Sequence, residues 1–393
     1  MKKNIIFINQ ETGPLLIDMI NHCVKNDVNA VLYTGKVIKT YADLDDRVKI
    51  RNLCTYRKDN AFNRITSWSI FFSQSLLCLI FDIKKDTYLW ISSNPPMAPW
   101  LNFFFKNKTF VHIFDVYPNA LLALPNINKE SFIYRVFLKL NKKCFNKAEK
   151  IFTPSLGMKM MLEEACISEK IEVINWWANT EFIKPIPKEN NIFSKKHNIQ
   201  DKFVVMYSGN FGLTHNIEKM IAASEAMASY QDIIFLIIGG GPKQEVVKKY
   251  ISATKAKNLI YLPFQNEDML PYTLTSADIA VVLDSFSANP GSTSTASIPS
   301  KTFYLMAAGN AIYAESDDSS ELSRIINHFE IGFCDKSQSL ENFIKFIKNC
   351  YSDRLLLNKL KENSRNASAN FSDKNAALLY ESIYQNCEDN SLM

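Results

Sequence analysis

The segment that most clearly predicts chemistry is residues 297–309, where a Pro-Ser-Lys sequence precedes a short apolar helix pattern. Lys301 stands at the predicted helix start, Gly309 ends the helix, and residues 311–314 predict a buried strand. Unpaired backbone N–H groups at a helix start and a lysine charge both attract anions. The segment therefore predicts a phosphate site, although such a loop and helix alone is more often plain structure.

Two glycine-containing turns in the second half of the chain add to this prediction. Each follows a predicted strand and precedes a predicted helix, so that its glycines would free N–H groups for a diphosphate. Either turn alone is more often a tight turn than a binding loop. The residues concerned are Ser208, Gly209 and Asn210 in the first turn, and Gly240 and Gly241 in the second.

In the first half of the chain, polar residues again follow predicted strands, where open α/β sheets bind ligands. Gly13 lies in a turn after the first strand and would let a backbone approach a ligand closely. Asp115 directly follows the strand at residues 110–114. His112 lies within that strand, and a buried strand histidine is more often structural than catalytic.

Short apolar strands alternate with longer amphipathic segments twice along the chain, which predicts two α/β units built on parallel sheets. A length of 393 residues also suits two domains. Residues 185–200 are rich in proline and polar side chains and predict a linker. A last helix is predicted at residues 373–385. The predicted strands are residues 4–8, 30–33, 87–91, 110–114, 150–153, 203–208, 233–238, 259–262, 279–283 and 311–314.

Composition indicates a cytoplasmic globular protein. The eight cysteines are scattered singly, as in a reduced compartment, and the apolar start of the chain is too short for a signal peptide. Basic and aromatic residues do not recur in a nucleic-acid-binding pattern. We interpret the apolar segment 68–81 as a buried helix. Residues 132–150 predict a basic amphipathic helix, suited either to an anionic membrane surface or to ordinary solvation.

The order of these motifs resembles the family 4 glycosyltransferases of the GT-B fold, especially bacterial polysaccharide-, O-antigen- and capsule-assembly enzymes. The resemblance rests on the Tyr-Ser-Gly-Asn sequence at Tyr207, the turn at 237–242, the strand at 277–282 and the Pro-Ser-Lys helix. It implies two Rossmann-like domains facing a cleft. It places the acceptor domain at 1–187, the nucleotide-sugar domain at 200–368, and a helix at 369–393 that returns to the first domain.

The resemblance further implies a retaining transfer from a nucleotide sugar, expected to be UDP-linked, to a polyprenyl-diphosphate-linked saccharide at the inner membrane surface. Gly209, Asn210 and Lys301 would neutralise the departing diphosphate without a metal, and Asp115 would orient the acceptor. An N-acetylated amino sugar or its 6-deoxy form is the expected sugar. The expected catalytic residues are Asp115, His112 and Lys301. The backbone of Pro263–Gln265 is expected to meet the base. The expected donor contacts are Gly13, Ser208, Gly209, Asn210, Gly240, Gly241, Pro263, Phe264, Gln265, Ser300, Lys301 and Tyr304.

Three departures from the family pattern leave alternatives open. Ala296 and Tyr304 occupy the positions of two glutamates that many relatives carry, and Asn210 and His215 replace a basic pair. The usual glycine loop near the N-terminus is reduced to Gly13. Either Lys301 takes over the diphosphate charge, which we favour, or the chain binds nucleotide sugars without turnover. A UDP-sugar epimerase is a further alternative with a similar architecture.

Overall fold

The strands of the first half of the chain form a seven-stranded parallel sheet in the order β5-β3-β1-β6-β7-β8-β9, with a separate two-stranded ladder of β2 and β4. The computed structural model describes residues 3–38, 41–124, 127–212, 215–253, 257–283 and 293–388. The strands are β1 Asn4–Ile8, β2 Glu11–Thr12, β3 Asn29–Thr34, β4 Lys36–Val37, β5 Lys49–Asn52, β6 Thr87–Ser92, β7 Thr109–His112, β8 Lys150–Thr153 and β9 Ile171–Val173.

A second, six-stranded parallel sheet follows, in the order β12-β11-β10-β13-β14-β15. The inner strands are apolar along their length because helices cover both faces of a parallel sheet. Phe235, Ile237 and Tyr313 are among the fully buried side chains of this core. The strands are β10 Phe203–Asn210, β11 Ile233–Gly240, β12 Leu259–Leu262, β13 Ile279–Val282, β14 Ala311–Glu315 and β15 Gly332–Asp335.

Helices lie between most of these strands along the chain, as the crossover connections of parallel sheets require. Six short 3₁₀ turns complete the elements of the described residues, at Ala98–Phe104, Asn119–Ala123, Ser168–Lys170, Lys188–Asn190, Glu267–Met269 and Ser368–Phe371. The helices are α1 Pro14–Lys25, α2 Ala61–Asp82, α3 Phe132–Lys147, α4 Leu156–Leu162, α5 Ile192–Lys196, α6 Glu218–Ala226, α7 Gln244–Ala253, α8 Leu270–Thr275, α9 Thr293–Ala296, α10 Lys301–Ala307, α11 Glu321–His328, α12 Leu340–Ser352, α13 Arg354–Ala367 and α14 Lys374–Glu388.

The chain divides into two compact units. Unit 1 comprises Met1–Trp176, Gly291–Thr293 and Asp373–Met393, and unit 2 comprises Trp177–Pro290 and Ser294–Ser372. The α/β class with two parallel-sheet units is confirmed. The first boundary falls at Trp176, earlier than the predicted residue 187. The final helix α14 packs on α1 within unit 1 through the buried side chains of Leu379 and Ile383.

Residues 185–200 are an ordered part of unit 2, and the interpretation of this segment as a linker is wrong. The buried Asn191 caps α5 by accepting hydrogen bonds from the backbone N–H groups of Phe193 and Ser194. Its amide also donates to the Tyr272 carbonyl at 2.7 Å, which ties α5 to α8. The polar residues that suggested a linker therefore supply a helix cap and its contacts.

Helix α2 is not the buried helix that the sequence suggested. Only Ser67, Phe71, Ser75 and Leu79 are buried on it, and two of these four are serines. Most of its large apolar side chains face solvent instead. The interpretation was wrong because hydrophobicity alone does not show how much of a helix is buried, and the buried side of α2 is narrow and half polar.

Candidate active site

The turns after β10 and β11 lie side by side at the carboxyl edge of the unit 2 sheet. Gly209 and Gly239 are register partners on these strands, and both have positive φ angles, +147° and +142°. A Cβ atom on Gly239 would overlap the Gly209 carbonyl oxygen. Glycine is therefore required here by backbone conformation and by space, which leaves exposed main chain at the strand ends.

Lys301, at the first position of α10, reaches this same edge. Its ammonium lies 4.6 Å from the ring centroid of Tyr207, and a Cβ on Gly209 would stand 3.7 Å from Lys301 Cδ. The buried Tyr207 ring thus holds the lysine charge over the backbone of Gly209 by a cation–π contact. The structure brings together Lys301 and the first glycine turn, as the sequence predicted. Sequence reasoning missed the part played by Tyr207.

The backbone of Asn210 is fixed by a small polar cluster. The Tyr207 hydroxyl lies 2.7 Å from the Asn210 carbonyl oxygen and 2.7 Å from His215 Nδ1, which is itself 2.8 Å from that carbonyl. Lys243 donates to the His215 carbonyl at 2.8 Å and pairs with Glu218. The cluster orients the exposed end of β10. The Lys243 charge is partly neutralised within the protein by Glu218.

The second turn is bordered by an exposed aromatic ring. A Cβ on Gly240 would lie 3.7 Å from a Phe264 ring carbon and 2.9 Å from Gln244 Oε1, while Gly241 has a φ of +140°. Phe264 is 60% exposed, so one ring face is open to a flat ligand. The Gln265 amide donates to the Pro263 carbonyl at 2.8 Å, which closes the turn carrying Phe264.

The Pro-Ser-Lys helix has the predicted form, since α10 ends at Ala307 and Gly309 follows with a φ of +73°. Helix α10 is only seven residues long, so the lysine charge, rather than the helix end, is its main electrostatic contribution. Ser300 is exposed just before the helix, and Tyr304 is half-buried one turn after Lys301. Ala296 is a buried side chain on α9.

A second polar group lies in unit 1, beyond the end of β7. Asp115 is accessible to solvent, yet desolvation by the surrounding protein raises its pKa. Burial raises the pKa of Tyr117 to about 12; Asp115 adds to this rise and Arg64 opposes it. The rings of Tyr56 and Tyr117 lie on either side of Trp68, at centroid distances of 6.0 and 6.5 Å. Sequence reasoning missed Tyr117, which Asp115 and Arg64 both influence, and the aromatic side chains that folding brings beside it.

His112 and Gly13 do not resemble site residues. His112 is buried, and its ring lies against Trp90, Phe114 and Trp176 at centroid distances of 4.8 to 5.4 Å. Desolvation lowers its pKa to about 3, so the ring is neutral at pH 7 and belongs to the core. Gly13 precedes α1 with an ordinary φ of −102°, and only Ile38 lies within 4 Å of a Cβ placed there. The catalytic assignment of His112 therefore finds no geometric support.

Comparisons with known proteins agree with this architecture. Residues 188–367 match the family described as glycosyl transferases group 1. A probable glycosyltransferase, WbjE of Pseudomonas aeruginosa, is 26% identical over 286 residues, which cover 69% of this chain and 68% of WbjE. The putative colanic acid biosynthesis glycosyl transferase WcaI of Escherichia coli is 23% identical over 247 residues, covering 61% of this chain and 59% of WcaI.

Solved structures show the same fold. The crystal structure of Anabaena HepE in complex with UDP matches 98% of this chain and 100% of HepE, with a TM-score of 0.72 at 14% identity. Sucrose-phosphate synthase from Thermosynechococcus elongatus matches 99% of this chain and 100% of its own, with a TM-score of 0.73 at 14% identity. The chain is therefore a glycosyltransferase with the GT-B fold. Its residues 188–367 match the glycosyl transferases group 1, which confirms the resemblance seen in the sequence.

Proposed function

We propose that this glycosyltransferase moves a sugar from a UDP-linked donor to a lipid-linked oligosaccharide during surface polysaccharide biosynthesis, with retention of anomeric configuration. The observation that carries the proposal is the Lys301 ammonium held against Gly209 at the carboxyl edge of the unit 2 sheet. A diphosphate placed there would meet one full positive charge and the exposed backbone of Gly209 and Asn210.

The donor assignment follows from the chemistry of transfer. As the bond between the anomeric carbon and the diphosphate oxygen breaks, negative charge grows on the departing nucleoside diphosphate. Lys301 is positioned to neutralise that charge without a metal ion, and Phe264 beside Gly240 offers a ring for the base. HepE has been crystallised with UDP and with UDP-glucose, which supports the choice of a uracil nucleotide.

We assign the acceptor to unit 1, at Asp115. In this assignment the carboxylate accepts a hydrogen bond from the acceptor hydroxyl and orients it. The hydroxyl oxygen forms the new glycosidic bond as the bond to the diphosphate breaks, and its proton passes to the departing diphosphate oxygen. Tyr117, which Asp115 influences, lies beside Trp68, so these rings offer aromatic surface for a sugar ring, and Arg64 near Tyr117 supplies a charge for a phosphate. The colanic acid assignment of WcaI supports a polysaccharide pathway. An N-acetylated amino sugar or its 6-deoxy form remains our proposed sugar, and the enzyme would work in the cytoplasm, peripherally bound to the inner membrane.

A second candidate is a nucleotide-sugar-binding protein without turnover. It is favoured by Ala296 and Tyr304, which stand where many relatives carry glutamates, because neither provides the carboxylate that would accept hydrogen bonds from sugar or ribose hydroxyls. The two candidates share donor binding and differ in transfer.

Thermal shift with a panel of nucleoside diphosphates and UDP-sugars tests both candidates, followed by a transfer assay with a lipid-linked acceptor. Stabilisation by several degrees with UDP compounds, and release of UDP in the presence of acceptor, is the expected result. Binding without release of UDP would establish the second candidate. Absence of a response to every nucleotide would contradict the donor site itself.

A further inference from the structure

We propose that the outward face of α2 is a lipid-binding surface, which lies flat on an anionic bilayer and holds unit 1 against it. This inference rests on the proposed function, because a lipid-linked acceptor lies at a membrane and the enzyme must reach it there. It goes beyond that function by assigning the contact to a particular helix. We call this surface the α2 apolar face, and its members are Phe62, Ile65, Ile70, Leu77, Ile80 and Phe81.

The α2 apolar face runs along one side of the helix, with the exposed Ser69 and Ser73 between its members. Successive members are three, five, seven, three and one residues apart in the sequence. Because an α-helix turns by about 100° per residue, these separations place all six side chains on one half of the helix. Phe62 is 78% exposed and Phe81 is 84% exposed, at opposite ends of a helix about 33 Å long by the rise per residue. Isolated exposed apolar residues are normal on proteins, but a stripe of this length marks an interaction site.

Two of the hydroxyl groups on the outer side of α2 are satisfied within the helix. Thr66 Oγ1 donates to the Phe62 carbonyl at 2.8 Å, and Ser69 Oγ donates to the Ile65 carbonyl at 3.0 Å. Such back-bonding lowers the cost of moving a hydroxyl into an apolar environment, because the donor keeps its hydrogen bond when water is lost. These two hydroxyl groups therefore do not oppose contact with lipid.

Charge also favours an anionic lipid surface. Residues 57–64 contain Arg57, Lys58 and Arg64 against one acid, and residues 84–86 contain two lysines against one acid. The acid within α2, Asp82, is engaged by Arg51 at 2.9 Å. Lys58 is engaged by Glu11 at 2.7 Å, which leaves Arg57 and Arg64 as the bases that carry this argument at the first end. Basic residues at both ends of an apolar stripe match the headgroups of an anionic bilayer while the stripe meets the acyl chains.

Helix α2 is long and apolar enough to cross a membrane, but its inner side keeps it on the surface. Phe71 and Leu79 are fully buried in a core that includes Ile8, Leu89 and Ile91 of the unit 1 sheet. Crossing the bilayer would remove both side chains from this core. A helix lying in the membrane interface keeps apolar contacts on both faces. The inner face of α2 packs on the sheet, and its outer face enters the headgroup and upper acyl region.

The test is co-flotation of the full chain with vesicles of phosphatidylethanolamine and phosphatidylglycerol, compared among three proteins. We expect the wild type to float and the triple variant Leu77→Ser, Ile80→Ser, Phe81→Ser to bind at least about tenfold more weakly, because exposed apolar side chains supply the insertion energy. Leu355→Ser, which changes a leucine on α13 that is as exposed as Phe81, should float like the wild type. All substituted positions are exposed, so the fold should be retained, as circular dichroism would verify.

Three results would overturn the proposal. One is equal flotation of the triple variant and the wild type; another is failure of the wild type to float. The third is a wild-type dimer that becomes monomeric in the triple variant, measured by size exclusion with light scattering, since a second copy would then cover the face. UDP binding by calorimetry is measured in parallel. Loss of flotation with retained UDP binding separates the membrane surface from the donor site, and missing UDP binding with normal flotation would contradict only the proposed function.

Discussion

At the scale of single residues, Lys301 is defined by its position against Gly209 and above Tyr207. A lysine held by a buried aromatic ring loses less conformational freedom on binding an anion than a fully mobile one, because the ring already restricts its stem. The same ring places the charge where the strand-end backbone is open. The position, more than the residue type, makes this lysine the strongest candidate for contact with the donor.

We predict that Lys301→Ala weakens UDP binding by about tenfold or more, since charge-assisted phosphate contacts are among the stronger hydrogen bonds in proteins. Isothermal titration calorimetry measures this directly. Lys359→Ala is the matched control, because Lys359 also lies in unit 2 but pairs with Glu330 on the exposed surface. Equal affinity of Lys301→Ala and the wild type would remove Lys301 from the donor site.

Asp115 carries a prediction about pH. Desolvation raises its pKa, so the ionised form that accepts a hydrogen bond from the acceptor appears at higher pH than for an ordinary aspartate. Turnover should therefore fall as pH decreases through this raised pKa, and the acidic limb should disappear in Asp115→Asn, together with most of the turnover.

The measurement for Asp115 is kcat/KM for the acceptor against pH, with UDP affinity as the internal control. Asp115→Asn should reduce turnover far more than it reduces UDP affinity. A variant with wild-type turnover and an unchanged acidic limb would return Asp115 to a structural role.

At the scale of elements, the two glycine turns depend on close contact between neighbouring strands. Gly239→Ala should destabilise the protein by at least about 1–3 kcal/mol, because φ is positive there and the added methyl meets the Gly209 carbonyl. Urea unfolding monitored by circular dichroism measures the change in the free energy of unfolding.

Gly13→Ala is the control for this substitution. Gly13 has a φ of −102° and nearly open space beside it, so the added methyl should leave stability almost unchanged. Equal stability of both alanine variants would show that the backbone of the β11 turn relaxes freely, and the argument for a rigid strand edge would then fail.

At the scale of the whole molecule, unit 1 is completed by a helix from the far end of the chain. Helix α14 packs on α1, Asn375 donates to the Asn175 carbonyl at 3.0 Å, and Ser382 donates to Glu172 at 2.7 Å. The buried Leu379 belongs to this contact, whereas the adjacent Leu378 is about half exposed. The last turns of the chain therefore contribute to the stability of its first half.

Leu379→Ala should lower the free energy of unfolding by about 2–5 kcal/mol, the usual cost of a buried leucine truncation. Leu378→Ala changes the same residue type one position earlier and should have a small effect. Thermal unfolding of both variants compares them. A similar small loss in each would mean that α14 frays from unit 1 without consequence.

Several features of the protein could be predicted from the sequence because they depend on local order along the chain. Apolar strands alternating with amphipathic segments defined the α/β class, and most inner strands were located within a few residues. The Pro-Ser-Lys helix and its terminal Gly309 followed from capping chemistry. The short strands β2, β4, β5, β9 and β15 escaped prediction, because a strand of two to four residues carries little periodic signal.

Only the tertiary structure decided which side chains meet. Tyr207 lies under Lys301, and Arg64 and Trp68 come near Tyr117, through contacts between residues far apart in sequence, for which periodicity holds no information. Helix α2 shows the same limit, since its composition predicted burial. Which face of a helix is buried depends on the shape of the sheet it packs against, and here that sheet accepts a narrow stripe containing two serines and leaves the apolar side outside.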